Sequence, residues 1–415
     1  MVSTAEPNLA GRVAFTHPNF VLFVVARFFM VSATEMQSVA VGWQVYEITR
    51  RPLDLGLIGL VQFAPGILLF LVSGQTADRF NRRSILICCY AGFTVCSSLL
   101  LILMWRGIQS ALPIYAVMTL VGIVRSFSGP VTRAIQPQLV PEEHFPNAVA
   151  WNSITNQSAT ILGPALGGLV YAFSHGPRAV YATAMCAGIG AVISTFRIHL
   201  NLKPRLREPI TLKTVLAGIR YVAEKKIILG AISLDLFAVL LGGAVALLPA
   251  YAHDILKTGP WGLGLLRSAP SIGAGTMAIL LAYRPLKDRA GATMLWCVAG
   301  FGICTIIFGI SHNLIVSLIA LVFVGATDMV SVIVRAILVQ IATPDEMRGR
   351  VNAVDMIFIG ASNEFGQFES GVTAQWFGTV PAVILGGIGT LVVTALWAWG
   401  FPELRNADQL TQPES

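Results

Sequence analysis

The sequence has 415 residues, of which 55% are hydrophobic and only 12% are charged, and its formal net charge is +7. Soluble globular proteins have roughly 25% charged residues. A chain this apolar has more hydrophobic surface than the core of a water-soluble protein can bury, and this excludes a soluble globular protein. The basic residues lie in short segments between apolar runs, without interleaved aromatics, which argues against a nucleic-acid-binding protein.

Twelve apolar runs are each long enough to cross a bilayer as a helix, which takes about 20 residues. The runs lie near 19–46, 55–77, 84–105, 112–134, 147–174, 178–198, 227–253, 261–283, 292–311, 314–340, 350–377 and 380–400. This pattern predicts an all-α membrane protein with twelve transmembrane helices in two six-helix bundles, arranged as two parallel repeats.

The longest polar stretch separates the sixth run from the seventh. Within it, Ile210 to Ala223 has apolar residues at helical spacing, which predicts a short interfacial helix. We therefore expect an N-terminal bundle over 1–198, a cytoplasmic linker over 199–226, a C-terminal bundle over 227–400 and a cytoplasmic tail over 401–415.

Lysines and arginines are concentrated in one set of alternate loops, and such loops are cytoplasmic as a rule. We therefore expect both termini inside, and we interpret the N-terminal segment as a cytoplasmic lead rather than a signal peptide. The six cysteines all lie in apolar runs without metal-ligand spacing, and no phosphate-binding loop of the type G-x-x-x-x-G-K-[ST] is evident. No metal or other cofactor is predicted.

The predicted loop between the second and third runs carries an unusual concentration of charge, in the stretch SGQTADRFNRRS. It resembles the loop signature G-x-L-A-D-R-x-G-R-R of the major facilitator superfamily, with candidate gating residues at Gly74, Asp78, Arg79, Arg82 and Arg83 and a further match at Ala77. Thr76 and Asn81 depart from that pattern, and the second change is mild if the position needs a positive φ, which Asn tolerates.

This resemblance implies a major facilitator fold with a gate in that loop. Gly74 would permit close helix approach, and Asp78 would accept hydrogen bonds from the eleventh helix and hold the cytoplasmic side shut. The alternative is that the arginines only anchor the topology of the loop.

A glycine- and proline-rich motif lies in the fifth run. It resembles the antiporter motif G-P-x-x-G-G at Gly163, Pro164, Gly167 and Gly168. The proline should kink the helix, and the glycines allow tight packing. Ordinary small-residue packing is the alternative. In the fourth run, Arg125 and Gly129 match the spacing of a third superfamily motif, in which the arginine is implicated in proton coupling.

Longer stretches narrow the resemblance to the enterobactin-exporter-like branch of the superfamily. They include FSGPVTRAIQPQLVPEEHFPNAVAWNSITNQSATILGPALGG and LVQIATPDEMRGRVNAV. The resemblance implies a transporter, not an enzyme, that exports a small amphipathic solute (siderophore, drug or metabolite) from the bacterial inner membrane in exchange for protons. It also implies alternating access and a protein that functions as a monomer.

Ionisable residues inside spanning helices are costly, so each is a candidate functional residue. Glu35, eight residues after Arg27, is our first candidate for a proton carrier, and the two side chains should share a helix face. Asp328 and Arg335 lie seven residues apart on the tenth run, again near one face. Further candidates are Asp235 and Arg267. The alternative for each is a structural ion pair or hydrogen bond.

Polar residues within the runs are candidates for contact with the solute. Asn152, Asn156 and Gln157 form a polar stripe on the fifth run, and Glu364 belongs to the polar stretch SNEFGQFES on the eleventh. The alternative is that these side chains only bridge helices. Trp43 and Tyr46 are expected in the aromatic belt at the outer membrane surface.

Three other functions remain compatible with the sequence. The chain could be a facilitator or importer of the same fold, or a lysophospholipid flippase. A membrane sensor or scaffold without transport activity is the third, although an intact gating motif argues against it.

Overall fold

The computed structural model describes residues 11–199, 212–284, 286 and 289–407, and this part of the chain is helical without any β-strand. The all-α prediction is confirmed. The helices of 16 residues or more are α1 (Pro18–Thr49), α2 (Pro52–Arg79), α3 (Arg82–Trp105), α4 (Leu112–Ile135), α5 (Phe145–Phe173), α6 (Pro177–Phe196), α7 (Lys226–Leu241), α8 (Gly259–Tyr283), α9 (Ala290–Ile310), α10 (Leu314–Ala342), α11 (Asp345–Phe377) and α12 (Thr379–Gly400).

Ten helical stretches of the described chain are long and apolar enough to cross a membrane. Helices α5 and α11 have 29 and 33 residues but do not meet the same criterion, because they carry more polar side chains. Many large apolar side chains point outward from the helices; Leu68, Phe173 and Trp399 are 80%, 82% and 83% exposed. A surface of this kind is stable in lipid rather than in water.

The helix bounds follow the predicted apolar runs to within a few residues, with one interruption. The seventh run is α7 only as far as Leu241, after which it continues as a 3₁₀ turn (Ala244–Leu247), a helical turn (Leu248–Ala250) and a π-helical turn (Tyr251–Ile255). Gly242 and Gly243 separate the two parts, and adjacent glycines are a recognised cause of helix breaks.

A short amphipathic helix, Leu212–Glu224, lies where the sequence predicted one. It packs against the start of α11, since a Cβ atom on Gly218 would lie 2.8 Å from the Arg350 carbonyl oxygen. This helix, α7 and α11 share a small hydrophobic core that includes Val222, Ile228 and Val351.

The chain divides into two compact units. The first comprises Met1–Val41 and Ala64–Ile210, and the second comprises Gly42–Phe63 and Thr211–Ser415. Helices α1 and α2 therefore each contribute residues to both units.

In the first unit, α3 packs against α4 and α6, and α5 packs against α6. Buried side chains such as Leu86, Leu100, Ile114 and Tyr181 form its interior. In the second unit, α10 packs against α8 and α9, and α12 packs against α7 and α9. Its main core is formed by α7, α9, α10 and α12 through side chains such as Leu234, Met294, Val334 and Val393.

Candidate functional site

A buried group of charged side chains lies in the second unit, and we call it the Arg335 cluster: Asp235, Asp328, Arg335 and Asp355. Arg335 on α10 is 3% exposed. Its Nη1 lies 2.5 Å from Asp355 Oδ1 on α11, and its Nη2 lies 3.6 Å from Asp235 Oδ2 on α7. One guanidinium therefore holds acids from two other helices, and the first contact is a charge-assisted hydrogen bond.

Asp328 lies two turns before Arg335 on α10 and completes the cluster. Together with Asp235, Thr327 and Ser331 it lines a cavity of about 10 Å³, which is near the smallest volume that can hold a water molecule. The hydroxyl of Ser331 and the Nε of Arg335 are buried without a hydrogen-bond partner in the described part of the chain. The cluster thus combines three carboxyl groups, which can bind a proton, with one buried cation and two polar atoms that are free to hydrogen-bond a water molecule.

The structure brings together three of the predicted proton-coupling candidates, Asp235, Asp328 and Arg335. It adds Asp355, which the sequence did not single out. The available signal for this residue was an acid that lies ten residues into a long helix. Arg267 is not part of this group. Its Nη1 instead lies 3.8 Å from the position of a Cβ atom on Gly42.

Arg27 and Glu35 both face α5, as their helical spacing predicted. Arg27 donates a hydrogen bond from Nη2 to Asn156 Oδ1 at 2.9 Å. A Cβ atom on Gly163 would lie 2.6 Å from Glu35 Cβ. Both charged residues of α1 therefore lie in the first unit along one side of α5.

The polar stripe on α5 continues towards the end of α4. Asn152 donates to Gln136 Oε1 over 3.5 Å, a long contact. The Oδ1 of Asn152 and the Nε2 of Gln136 are buried without a partner among the described residues. Gln157 lies one residue beyond Asn156 on the same helix and is half-buried.

The glycines of the predicted antiporter motif form the crossing of α5 with α1. A Cβ atom on Gly167 would lie 2.7 Å from Met36 Cα and 2.9 Å from the Met36 carbonyl oxygen. Pro164 and Gly168 are buried beside it. Two helix backbones in contact leave no room for a side chain, which is the tight packing that the sequence predicted.

The arginines of the loop signature bind helix ends within the first unit. Arg82 is 9% exposed and donates to the Ala134 carbonyl oxygen at 3.1 Å, near the end of α4. Arg83 donates to the Phe196 carbonyl oxygen at the end of α6, and its Cζ lies 5.4 Å from the centroid of the Phe196 ring. Cations stabilise the carbonyl ends of helices, so both arginines have a structural partner.

Other positions of that loop differ from expectation. A Cβ atom on Gly74 would meet no described atom within 4 Å, and the close helix approach that the resemblance implies there stays a prediction. Asn81 has φ −62° and caps α3 by accepting a hydrogen bond from the Arg83 backbone N–H at 3.0 Å; the position does not need a positive φ. Arg79 is exposed at the end of α2. The contacts of the Asp78 side chain lie outside the described part of the structure, and its gating role stays a prediction.

Arg125 and Gly129 are both exposed on α4, and Gly129 has no described atom within 4 Å of a Cβ position. The role that the resemblance implies for Arg125 therefore stays a prediction.

Glu364 on α11 is buried, with 8% exposure, against the start of α2. A Cβ atom on Gly59 would lie 3.0 Å from its Oε2, which also accepts a hydrogen bond from Gln367 Nε2 at 3.3 Å. One turn earlier on α2, a Cβ atom on Gly56 would lie 2.8 Å from the Gln367 carbonyl oxygen. Glu364 thus bridges two tightly packed helices within the second unit.

A second polar group, which we call the α1 latch, joins the end of α1 to the π-helical turn: Trp43, Tyr46, Arg50, His253 and Asp254. Tyr46 donates its hydroxyl to Asp254, and Arg50 Nη1 lies 2.9 Å from His253 Nδ1. His253 Nδ1 lies 2.6 Å from Asp254 Oδ1, and its ring lies 5.2 Å from the Trp43 ring. Because Trp43 and Tyr46 are only 6% and 4% exposed, their predicted place in a lipid-facing belt is wrong.

Outside the spanning helices, one ion pair joins the start of α7 to the short helix Pro402–Arg405. Lys226 Nζ lies 3.0 Å from Glu403 Oε1. The exposed Glu403 carboxyl accepts a hydrogen bond from its own backbone N–H and another from Lys226. Both bonds hold the pKa of this carboxyl below its usual value, and the backbone bond has the larger effect. Among the described residues, no group of three or more His, Cys, Asp or Glu side chains could hold a metal ion.

Comparisons with known proteins identify the family. A profile of the family described as "transmembrane secretion effector", within the major facilitator superfamily, matches residues 11–414. The enterobactin exporter EntS of Escherichia coli K12 is 25% identical over 404 residues, which cover 96% of this chain and 95% of the relative. The enterobactin exporter of Shigella boydii serotype 18 gives the same values.

Solved structures agree with this fold at low sequence identity. A bacterial homolog of the human lysosomal transporter Spinster, in an inward-facing and occupied conformation, superposes with a TM-score of 0.73 at 13% identity, covering 96% of this chain and 99% of that one. A mutant of the nucleoside transporter NupG gives 0.73 at 10% identity, covering 92% and 100%. The predicted resemblance to the enterobactin-exporter-like branch is confirmed. The chain belongs to the transmembrane secretion effector family of the major facilitator superfamily, and it is a multi-pass membrane transporter rather than an enzyme.

Proposed function

We propose that this transporter exports a small amphipathic solute across the bacterial inner membrane in exchange for protons, and that the Arg335 cluster is its proton site. The single observation that carries the proposal is the excess of acids in that cluster. Two carboxyl groups, from α7 and α11, contact one buried guanidinium, and a third, that of Asp328 on α10, lines a cavity with Asp235. A buried net negative charge is costly in free energy, and a bound proton removes that cost.

Proton binding at this site can be converted into movement of helices. A proton on Asp355 or Asp235 removes a charge that holds Arg335, and so weakens a bond between α10 and a neighbouring helix. Asp328 lies beside the cavity, where it can exchange a proton with a water molecule or with Asp235. The protonation state of the cluster would therefore decide which packing of α7, α10 and α11 is more stable.

The available driving force is sufficient for accumulation against a gradient. Moving one charge through a membrane potential yields about 2.3 kcal/mol per 100 mV. A difference of one pH unit adds about 1.4 kcal/mol. For one proton exchanged per solute, these two contributions multiply to a concentration ratio of several hundred.

Alternating access would use the α1 latch as its external gate. The latch and the glycine contacts of Gly56 and Gly371 attach residues 42–63 to the rest of the second unit. Opening towards the outside would require these contacts to separate. We further propose twelve membrane spans in two six-helix bundles, with both termini cytoplasmic and the Asp78 loop as the inner gate. The chain would act as a monomer.

The solute class rests on the relatives and on the polar stripe of α5. The relatives are enterobactin exporters by name, so a siderophore is the first solute to test. Asn152, Asn156 and Gln157, with the buried atoms that lack partners near Gln136, offer donors and acceptors to a solute with several hydrogen-bonding groups.

The experiment is solute transport in everted membrane vesicles that contain the full chain. Enterobactin, ethidium and a lysophospholipid are added in turn, and the decay of the imposed pH gradient is recorded. We expect at least one solute to dissipate the gradient in the wild type. Asp328→Asn should abolish that response while solute exchange without a gradient continues.

The matched control is Glu143→Gln, which neutralises an exposed acid in the first unit. It should behave as the wild type does. Loss of both exchange and gradient decay in Asp328→Asn would indicate a structural role for this acid, and full activity would remove it from the mechanism.

A further inference from the structure

A groove on the second unit has the properties of a binding site for a small molecule. It lies between α7 and α11 and has a volume of about 600 Å³, within the usual range for drug-sized ligands. Leu236 and Leu240 line it from α7, and Phe365, Phe368 and Trp376 line it from α11.

One acid, Glu369, lies in the wall of this otherwise apolar groove. Its Oε1 accepts a hydrogen bond from Thr373 Oγ1 at 2.6 Å. In the part of the chain that the structure describes, no lysine or arginine forms an ion pair with it. A carboxylate in apolar surroundings loses hydration energy, and a cation seated beside it restores the balance.

The aromatic side chains add a second attraction for positive charge. Trp376 is 74% exposed and Phe365 is 43% exposed, so both present ring surface to the groove. The face of an aromatic ring attracts cations within about 6 Å of its centroid. Phe365 is held in place by an edge-on contact with Phe63, with centroids 5.8 Å apart.

We propose that this groove binds lipophilic organic cations of drug size, with Glu369 as the counter-ion and the aromatic rings as the contact surface. The apolar wall selects a hydrophobic body, and the single carboxylate selects positive over negative charge. One carboxylate and two hydroxyl groups are too few to hold an inorganic cation stripped of its water. As the substrate class of the exporter, this inference rests on the proposed function, but binding itself does not require transport.

The test is equilibrium binding of two probes of one shape and opposite charge. Tetraphenylphosphonium and tetraphenylborate are dialysed separately against the purified, detergent-solubilised full chain without any gradient. We expect the cation to bind and the anion to bind at least about tenfold more weakly. Glu369→Gln should reduce cation affinity about tenfold, and Glu369→Asp should retain more of it.

The control is Glu346→Gln, which neutralises an exposed acid in the first turn of the same helix and should leave affinity unchanged. Trp376→Ala removes an exposed ring and should weaken the cation about fivefold without affecting folding. Equal binding of both probes, or unchanged affinity in folded Glu369→Gln, would overturn the proposal. Cation binding without any proton-coupled flux would refute the proposed export and leave the groove assignment intact. Flux of enterobactin without cation binding would refute the groove assignment and leave the proposed export intact.

Discussion

Arg335 should be coupled much more strongly to Asp355 than to Asp235. The Asp355 contact is a hydrogen bond of 2.5 Å, whereas the Asp235 contact of 3.6 Å is too long to be one. A hydrogen bond to a charged group contributes about 1.5–3 kcal/mol. We therefore expect a coupling free energy of about 2–3 kcal/mol for Arg335 with Asp355, and about 1 kcal/mol for Arg335 with Asp235.

Double-mutant cycles measure both values. Arg335→Met alone should lower the free energy of unfolding by about 3–5 kcal/mol, because it leaves buried carboxyl groups without their counter-ion. Adding Asp355→Asn should recover more of that loss than adding Asp235→Asn does. Unfolding is followed by tryptophan fluorescence in mixed detergent and SDS micelles.

The exposed pair Arg348–Asp345 on α11 is the control, and its coupling should be about 0.2–0.5 kcal/mol. Equal coupling of Arg335 to the two acids, or a stronger coupling to Asp235, would contradict the geometry from which the prediction is derived.

Three further predictions concern other parts of the molecule. Gly167→Ala should destabilise the protein, because the added Cβ atom would meet the Met36 backbone. Gly129→Ala, where the added Cβ atom would meet no described atom, should be neutral or stabilising by up to about 1 kcal/mol, and thermal unfolding compares the two variants directly. Tyr46→Phe should speed hydrogen exchange of the turn Tyr251–Ile255, because Asp254 loses a donor, whereas Tyr283→Phe at an exposed position should leave exchange unchanged. Lys226→Gln should raise the pKa of Glu403 towards its ordinary value in an NMR titration of labelled glutamate, and an unchanged pKa would show that the backbone hydrogen bond alone lowers it.

The sign of the Glu403 effect follows from the direction of its shift. A carboxyl whose pKa is lowered on folding stabilises the folded state above its unfolded pKa, and this contribution is lost as the pH falls through the lower folded value. Because Glu403 is exposed, solvent screens the interaction and the change in stability should be small.

The helices could be predicted well from sequence because each depends on a local property. A run of about 20 apolar residues bounded by charge or glycine defines a span regardless of its neighbours. The break after Leu241 was missed, because Gly242 and Gly243 lie inside an apolar run and only packing decides whether such a pair interrupts the helix. Helix α11 begins at Asp345, before the predicted apolar run near 350, because its first turns are polar and an apolar pattern does not detect them.

The site was predictable as a set of residues but not as a set of contacts. The cost of charge in a membrane was enough to select Asp235, Asp328 and Arg335. Their pairing depends on how α7, α10 and α11 pack, which one sequence does not specify, and Asp355 was therefore not singled out. Trp43 and Tyr46 were misplaced for a related reason: an aromatic residue near a helix end can face lipid or bind a neighbouring polar group, and Asp254 lies more than 200 residues away in sequence.

Coupling of transport to protons can be measured without interference in proteoliposomes that contain this protein alone. A pH gradient is imposed across the membrane while enterobactin or ethidium is present at equal concentration on both sides, and the internal solute is measured over time. We expect net movement of at least one of the two solutes in the direction opposite to proton flow. An ionophore that collapses the gradient should abolish this movement, and Asp328→Asn should lack it. Transport that only equalises solute concentrations, unaffected by the gradient, would contradict proton coupling and identify the protein as a facilitator.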